Sequence, residues 1–272
     1  EIKLPGAPPL SATATAYILA LGACWDEACE GLATAHGRPG LHTIPVAIAL
    51  GMSHSLGDVL KSIVVGYDVG ARAGIVSRIR PGLHVDGTWG RLGAAATAAY
   101  LIQKDLILPA IKAAACQLSQ SLFVPVRDGA TVRNLYSANA VADSVRLARV
   151  LEFGISVPTH VCLPDYLFYF DDRLSPPPQH RLIRDGYLKK FAGARHLHYG
   201  VEGALHWLSS GGDSLSIKRI TLEIHEEAIS YCSNRAPKTA LQAQFSLTYA
   251  LAHAIEKGHL DPEAYDGTSL SN

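Results

Sequence analysis

Small residues dominate a long stretch of this chain, from about residue 44 to residue 153, and they limit what it can fold into. The segment Gly93-Ala-Ala-Ala-Thr-Ala-Ala-Tyr100 predicts a helix with a face small enough for close packing against a neighbouring helix. In residues 58–72 the charged side chains fall on one narrow stripe of a predicted helix, and apolar side chains occupy the rest. A further amphipathic helix is predicted around residues 141–152. These patterns predict a mainly α protein whose helices are buried on most sides.

The composition narrows the class of protein. Hydrophobic residues make up 48% of the 272 residues, charged residues make up 18%, and 24 basic side chains balance 24 acidic ones. That content excludes intrinsic disorder, and zero net charge without a basic run argues against a nucleic-acid partner. A membrane span is not expected, because the apolar stretch Ala16–Trp25 is too short to cross a bilayer. The apolar excess is therefore assigned to buried helices.

Five cysteines are scattered along the chain. They are Cys24, Cys29, Cys116, Cys162 and Cys232. The odd number and the absence of a Cys-x-x-Cys pair argue against a disulfide framework, a zinc site and an iron–sulfur cluster. No metal site is predicted, and the expected location is the cytoplasm or another reducing intracellular compartment. The first residues also lack the basic segment of a secretory signal.

The character of the sequence changes after the small-residue helices. Residues 159–186 contain an aromatic run, three consecutive prolines and a glycine, which indicates a connection or a domain boundary. Beyond it, Ile220–His225 alternates between apolar and polar residues and predicts a half-buried strand. Residues Ala240–Lys257 predict a helix that a glycine ends. The predicted layout is a large helical part, 1–182, followed by a smaller mixed α/β part, 183–272.

One glycine-containing loop places two histidines close together. The segment His36-Gly-Arg-Pro-Gly-Leu-His42 precedes a helix predicted to begin near Ile44-Pro45. Its glycines let the backbone turn, and a helix N-terminus favours bound anions. The segment is either an anion-binding or proton-transfer loop or a polar turn between helices, and by itself it favours the turn.

A second loop, Pro81-Gly-Leu-His-Val-Asp-Gly-Thr-Trp-Gly90, places His84 and Asp86 between glycines just before a buried small-residue helix. A histidine held there is suited to act as a general acid or base near neutral pH. An ordinary loop histidine is the alternative, and the segment alone does not decide between the two.

Two other signals are weaker. Arg133 stands at the head of a predicted helix, where it could clamp a carboxylate through bidentate hydrogen bonds; a surface arginine is the default alternative. The segment Lys189–His198 concentrates basic and imidazole groups before an apolar helix, and a solvated charge cluster explains it almost as well. The sequence contains no P-loop, no GxSxG nucleophile elbow, no HExxH and no GxGxxG after a strand.

Taken in order, these segments resemble the MmgE/PrpD family, which includes 2-methylcitrate dehydratase and cis-aconitate decarboxylase. The most specific match is Pro81-Gly-Leu-His-Val-Asp-Gly-Thr-Trp-Gly-Arg-Leu-Gly-Ala-Ala-Ala96, which looks like the family's G-F-H-P-T-G-T-W-G segment and the helix after it. Supporting matches are Arg38–Leu50, Val64–Arg72, Thr131–Tyr136, Lys189–Phe191 and Ala243–Tyr249. The resemblance extends from about residue 16 to residue 266 and is weakest at 159–186.

The resemblance implies a mainly α fold with a large helical domain, 1–182, and a smaller α+β lid domain, 183–272. It implies a homodimer and cofactor-independent chemistry on a small polycarboxylate, most typically dehydration of a 2-methylcitrate- or alkylcitrate-like acid. Removing a proton or CO₂ next to a carboxylate builds negative charge, which arginine and lysine can stabilise while a histidine moves the proton. By position, the catalytic candidates are His84, Lys189 and His36, and the substrate-binding candidates are Arg133, Arg38, Tyr231 and His198.

The sequence also departs from the family pattern. The family's acidic D-F-D-D segment should lie near Asp26–Ala33, where its first aspartate is replaced and Asp26 or Glu30 is the candidate to substitute for it. The histidine of the family's H-P-G motif is replaced by Arg38, although His36 lies two residues earlier.

These departures leave other functions open. Decarboxylation of the cis-aconitate type, isomerisation or epimerisation, and a repurposed cyclisation are alternative reactions. A second class is a non-catalytic ligand-binding or partner subunit, which the altered acidic segment favours, as does the expected lack of the family's early helices and C-terminal return. Retention of His84, Arg133 and Lys189 favours catalysis.

Overall fold

The computed structural model describes residues 5–6, 8–170 and 176–267. Within it the chain divides into two compact units. Among the described residues, the first unit comprises 5–6, 8–25, 29–123, 132–170 and 176–188, and the second comprises 26–28, 124–131 and 189–267.

Helices provide most of the regular structure in the described residues, which confirms the predicted mainly α fold. In chain order they are α1 (Ala12–Trp25), α2 (Pro39–Gly51), α3 (Leu56–Val76), α4 (Gly90–Ile102), α5 (Ile107–Ala115), α6 (Val124–Asp128), α7 (Leu135–Leu151), α8 (Leu197–Ser209), α9 (Glu226–Cys232), α10 (Ala240–Ala243) and α11 (Leu247–Lys257). Short strands form two antiparallel ladders, β1 (Glu30–Gly31) with β4 (Tyr187–Leu188) and β2 (Arg78–Ile79) with β3 (Phe168–Tyr169). Over the described ranges, no helix is both long enough and apolar enough to traverse a bilayer.

Helix α4 lies at the centre of the first unit, where it packs against α2, α3, α5 and α7. Nearly all of its side chains are buried. A methyl group built on Gly66 of α3 would lie 2.5 Å from the carbonyl oxygen of Gly93 in α4, and one built on Gly93 would lie 2.5 Å from the carbonyl oxygen of Gly66. Only glycine therefore fits at either position, and the predicted close packing of small-residue helices occurs where α3 crosses α4.

Helix α2 begins earlier than the sequence predicted. Its first residue is Pro39, where a missing N–H and a fixed φ are both tolerated, and Pro45 lies inside the helix. The predicted start near Ile44-Pro45 is wrong, because Pro39 and not Pro45 is the proline at the first helical position. As a result, His42 belongs to the helix and not to the loop before it.

The second unit is built around α8 and α11, which pack together over a small apolar core. The predicted strand Ile220–His225 is wrong, because within the described residues this segment has no partner in a β-ladder. Its side chains do alternate, with Leu222 and Ile224 half-buried and the residues between them exposed. Alternation fixes which face of an extended chain is buried, but it does not supply a neighbouring strand.

The helix predicted over Ala240–Lys257 is two helices, α10 and α11. Ser246 lies between them in an extended conformation, and its hydroxyl accepts a hydrogen bond from the Tyr249 N–H at 3.1 Å, which starts α11 afresh. Gly258 ends α11 with a left-handed φ of 76°, and this confirms the predicted stop.

Candidate functional site

A buried carboxylate, Asp86, lies at the centre of the candidate site in the first unit. Asp86 is 1% exposed, in the loop between β2 and α4. Its Oδ2 accepts a hydrogen bond from Nη2 of Arg38. The same oxygen lies 3.3 Å from Nη2 of Arg133 and 3.7 Å from Nδ1 of His84. Three predicted site residues from distant parts of the sequence therefore meet around a fourth residue that the sequence marked only as a neighbour of His84.

The charges around Asp86 determine its ionisation. Burial alone would raise the pKa of Asp86, but Arg38 beside it, together with His84 and Arg133, outweighs burial and holds that pKa well below its usual range. The carboxylate is therefore ionised at neutral pH. Two guanidinium groups and one carboxylate sum to one positive charge, and this charge is shielded from water, where Coulombic interactions are strong. An anion is the ligand that this arrangement favours.

The second carboxylate oxygen of Asp86 points to the kind of anion. Oδ1 is buried and has no hydrogen-bond partner among the described residues. Buried polar atoms are nearly always hydrogen-bonded, so this acceptor marks a position for a donor that comes from a ligand or a water molecule. A hydroxyl group is such a donor. An acceptor beside excess positive charge matches a molecule that has both hydroxyl and carboxylate groups.

His84 is held in one orientation by aromatic neighbours. Its ring stacks on Phe123 with centroids 6.1 Å apart, and Tyr136 lies against it at 5.9 Å. The backbone N–H of Asp86 lies 3.1 Å from Nδ1, and Nε of Arg133 lies 3.3 Å from Nε2. Because a neutral imidazole has one N–H, only one of these two donors is hydrogen-bonded to it at a time. Whichever ring nitrogen accepts one of these hydrogen bonds must present its lone pair to that donor, so the contacts fix the ring between the Asp86 backbone and Arg133.

Two cysteines line the arginine side of the site. Cys24, fully buried at the end of α1, has its Sγ 3.1 Å from Nη1 of Arg133 and 3.5 Å from Nη2 of Arg38. Cys29 Sγ lies 3.3 Å from Nη1 of Arg38. The scattered positions of these cysteines in the sequence did not indicate that they contact arginine. We call Cys24, Arg38, His84, Asp86 and Arg133 the Asp86 cluster.

His42 has a structural place beside this cluster. Its Nδ1 lies 3.1 Å from the carbonyl oxygen of Arg38, and its Nε2 accepts the backbone N–H of Gly87 at 3.1 Å. A carbonyl can only accept and an N–H can only donate, so the proton is on Nδ1 and the ring is neutral. Burial lowers the pKa of His42, and the charge of Asp86 opposes that shift only in part. His42 therefore ties α2 to the loop that contains Asp86.

His36 lies two residues before Arg38. It is half-buried and follows the 3₁₀ turn Ala33–Ala35 with a left-handed φ of 52°. Its backbone N–H donates to the carbonyl of Ala33 at 3.1 Å. Its predicted catalytic role stays a prediction.

In the second unit, the predicted residue Lys189 forms a buried ion pair with Glu27. Its Nζ lies 2.6 Å from Oε2 of Glu27 and 2.9 Å from the carbonyl oxygen of Gly193. The two side chains are 3% and 2% exposed. Glu27 has a left-handed φ of 52°, which is uncommon for a residue with a side chain. Glu27 was not predicted as a site residue, because it belongs to an acidic segment whose register could not be fixed from the sequence.

The two remaining predicted residues, His198 and Tyr231, also lie in the second unit. Burial, and then the nearby charge of Lys189, lower the pKa of His198 to about 4. His198 therefore stays neutral at physiological pH, with its ring edge-on to Phe191 at 5.3 Å. Its Nε2 is buried and has no hydrogen-bond partner within the described ranges. The ring of Tyr231 is nearly parallel to that of His196, with centroids 6.3 Å apart.

The structure also locates the two acidic residues proposed as substitutes in the acidic segment. Asp26 is exposed. Glu30 is buried, and its Oε1 accepts the backbone N–H groups of Gly40 at 2.7 Å and Leu41 at 3.2 Å, while Tyr67 donates to Oε2 at 3.0 Å. Burial raises the pKa of Glu30, although these hydrogen bonds act in the opposite direction. Glu30 therefore caps the N-terminus of α2 and is a structural residue.

Comparisons with known proteins identify the family of the chain. A search of curated proteins found no match. Two protein-family models match the chain, the MmgE/PrpD N-terminal domain over residues 10–178 and the MmgE/PrpD C-terminal domain over residues 191–272. Because these matches together cover most of its length, the chain belongs to the MmgE/PrpD family.

Proposed function

We propose that this protein is a cofactor-independent lyase that dehydrates a small hydroxy polycarboxylate, such as a 2-methylcitrate- or alkylcitrate-like acid. The observation that supports this most directly is the unpartnered Oδ1 of Asp86 beside two buried guanidinium groups. A carboxylate oxygen without a donor among the described residues suits the hydroxyl of such an acid, and the excess positive charge suits its carboxylates. Membership of a family that consists mainly of lyases supports the same reaction class.

In this reaction His84 takes the proton on the carbon next to a carboxylate, and negative charge develops there. The guanidinium groups of Arg38 and Arg133 stabilise that charge in surroundings with little water. Arg133 already has protein partners at Nε, Nη1 and Nη2. We therefore propose that it acts on the substrate through its charge and through the position it gives His84, and that it does not clamp a carboxylate directly.

We also propose Lys189 as a catalytic group. Its ammonium is hydrogen-bonded to Glu27 and to the Gly193 carbonyl, so it is fixed in position before any substrate binds. The charge of Lys189 contributes to keeping His198 neutral, and Nε2 of His198 has no hydrogen-bond partner among the described residues. An ammonium can donate a proton and a neutral imidazole can accept one, which are the two roles of general acid–base catalysis.

One observation favours the second class of function, a non-catalytic ligand-binding or partner subunit. In the segment where the family has its acidic motif, Asp26 is exposed and Glu30 caps a helix, so neither is placed as a catalytic carboxylate. Decarboxylation, isomerisation and cyclisation remain alternative reactions for the same residues. The experiment below distinguishes catalysis from ligand binding alone.

The experiment incubates the purified protein with citrate, 2-methylcitrate or cis-aconitate in D₂O and follows each acid by NMR. We expect loss of water from a hydroxy acid, or deuterium exchange at the carbon next to a carboxylate. His84→Gln should reduce this rate at least about a hundredfold, whereas His54→Gln, an exposed histidine of the first unit, should not change it. The melting temperature of the protein is also measured with each acid. A rise in melting temperature without turnover or exchange would support the binding alternative. No response to any of the three acids would refute both.

We further propose that the protein forms a homodimer through one face of α2. Ile44 and Ile48 on α2 and Met52, which directly follows the helix, are spaced four residues apart and are 40%, 44% and 76% exposed. An apolar row of this kind on a surface is typical of an interaction site, and a second copy of the chain is the occupant we propose. Light scattering should give the mass of a dimer for the wild type and of a monomer for Ile48→Asp. The same change at Leu215, which is 94% exposed in the second unit, should leave the dimer intact. A monomeric wild type would refute the proposal.

A further inference from the structure

Two histidines and a glutamate meet in the second unit without any role in the reaction proposed above. They are His196, just before α8, and His225 and Glu227, at the start of α9. One donor atom of each lies within 4.8 Å of the donor atoms of the other two. From this arrangement we propose that they form a binding site for a divalent transition-metal ion of the Zn²⁺ type, which we call the His196 site.

The distance between the two imidazoles supports metal binding. Nδ1 of His196 lies 3.1 Å from Nε2 of His225. Two N–H groups cannot point at each other at this distance, so at least one of the two nitrogens presents a lone pair. Nitrogens that bind one Zn²⁺ at about 2.0–2.1 Å in a tetrahedral arrangement lie about 3.3 Å apart. An ion therefore needs to separate the two rings only slightly in order to bind both.

The third group, Glu227, is held by a neighbour that orients it. Nη2 of Arg195 donates to its Oε2 at 2.9 Å. Residues that hydrogen-bond to metal-binding side chains commonly fix their orientation in this way. Aromatic rings restrict the histidines as well, because Tyr231 lies parallel to His196 and Tyr199 meets His225 edge-on at 6.0 Å. The site is thus largely ordered before an ion enters.

The donor set and the exposure of the site select the ion. Two imidazoles and one carboxylate are the ligands of several zinc sites that keep a fourth position for water, and they are less suited to Ca²⁺ or Mg²⁺, which prefer oxygen ligands. His196 is buried, whereas His225 is exposed, so an ion can enter from the solvent side of His225. The assignment does not depend on the proposed lyase activity, because the Asp86 cluster contributes none of these residues.

The test measures metal binding to the full-length protein after treatment with a chelator. Zn²⁺ is titrated in competition with a chelating dye, and Co²⁺ is used as a spectroscopic substitute. We expect one Zn²⁺ per chain and the intense visible absorption of tetrahedral Co²⁺. His225→Ala and Glu227→Gln should each weaken Zn²⁺ binding at least about tenfold. His206→Ala is the matched control, because His206 is an exposed histidine on α8 and should not affect binding.

Stability gives a second measurement. An ion that binds only the folded chain raises its melting temperature. We expect saturating Zn²⁺ to raise the melting temperature of the wild type and of His206→Ala, and not that of His225→Ala. The proposal is overturned if the wild type binds no stoichiometric Zn²⁺, or if His225→Ala binds it as tightly as the wild type. In either case the histidine pair is only an N–H···N hydrogen bond. Loss of lyase activity is not a readout of this test, so its failure is distinct from failure of the proposed reaction.

Discussion

The ammonium nitrogen of Lys189 lies 2.6 Å from Oε2 of Glu27, and both side chains are almost completely withdrawn from solvent. Glu27→Gln leaves the buried ammonium without a countercharge. We expect the free energy of unfolding to fall by about 3–5 kcal/mol, measured by denaturant unfolding.

The adjacent lysine provides the control for this prediction. Lys190 pairs with Glu202 at 2.8 Å, but these side chains are 63% and 57% exposed. Glu202→Gln should therefore change the free energy of unfolding by no more than about 1 kcal/mol. Equal effects of the two substitutions would show that the buried pair has no special importance for stability.

Asp86 gives a prediction for acid pH. Its pKa in the folded protein is held below the unfolded value of about 3.9. The ionised carboxylate therefore stabilises the fold fully above about pH 4, and this stabilisation is lost as the pH falls through the folded pKa. At neutral pH, Asp86→Asn should lower the free energy of unfolding by about 3–5 kcal/mol, because Arg38 and Arg133 lose their buried partner.

Below about pH 4 the difference between Asp86→Asn and the wild type should narrow. The exposed residue Asp105 supplies the control, since Asp105→Asn should have little effect at any pH. A difference between Asp86→Asn and the wild type that stays constant from neutral to acid pH would contradict the ionisation assigned to Asp86.

His42 predicts a pH dependence near neutrality. Burial lowers its pKa in the folded protein, whereas an unfolded histidine takes up a proton below about pH 6.5. Its contribution to stability is therefore present above that pH and is lost as the pH falls. His42→Gln keeps an acceptor for the Gly87 N–H and cannot titrate, so its free energy of unfolding should fall less between about pH 7 and pH 5 than that of the wild type. His54→Gln should keep the wild-type slope; the same slope in His42→Gln would mean that His42 is not held neutral.

The crossing of α3 and α4 predicts a stability difference between two glycines of one helix. A methyl group at Gly66 would meet the Gly93 carbonyl at 2.5 Å, whereas one at Gly57 would find only the Ser55 hydroxyl, at 3.8 Å. Gly66→Ala should therefore lower the free energy of unfolding by about 1–3 kcal/mol or more. Gly57→Ala should leave it unchanged or raise it by up to about 1 kcal/mol, because alanine favours the helix. The opposite order in thermal melting would contradict the close helix contact.

Local patterns in the sequence were sufficient to predict the features that depend only on residues close together in the chain. The small-residue helix around Gly93 and the stop at Gly258 both follow from local backbone and packing preferences, and the structure has both. The glycines around His84 and the helix after its loop predict a site residue, and His84 lies in the Asp86 cluster.

Contacts between residues that are far apart in the sequence could not be predicted from local patterns. Cys24 and Asp86 are 62 residues apart in the chain, and no spacing rule joins a thiol to an arginine-bound carboxylate. His196 and His225 are 29 residues apart, so a search for short metal-binding motifs does not find them. The sequence candidates in the acidic segment were Asp26 and Glu30, whereas the acidic residue that pairs with Lys189 is Glu27, and that contact joins residues 162 positions apart.

The cap of α2 links two positions that do not share a function. Arg38 occupies the N-cap position but makes no capping hydrogen bond with its side chain, and Glu30 receives the first N–H groups of the helix in its place. An arginine is acceptable at this position only while a carboxylate eight residues earlier does the capping. We expect these two sites to change together as related chains diverge. Where Glu30 is replaced by a residue that cannot cap, a capping residue is favoured at position 38, and loss of Arg38 would remove one of the two guanidinium charges beside Asp86.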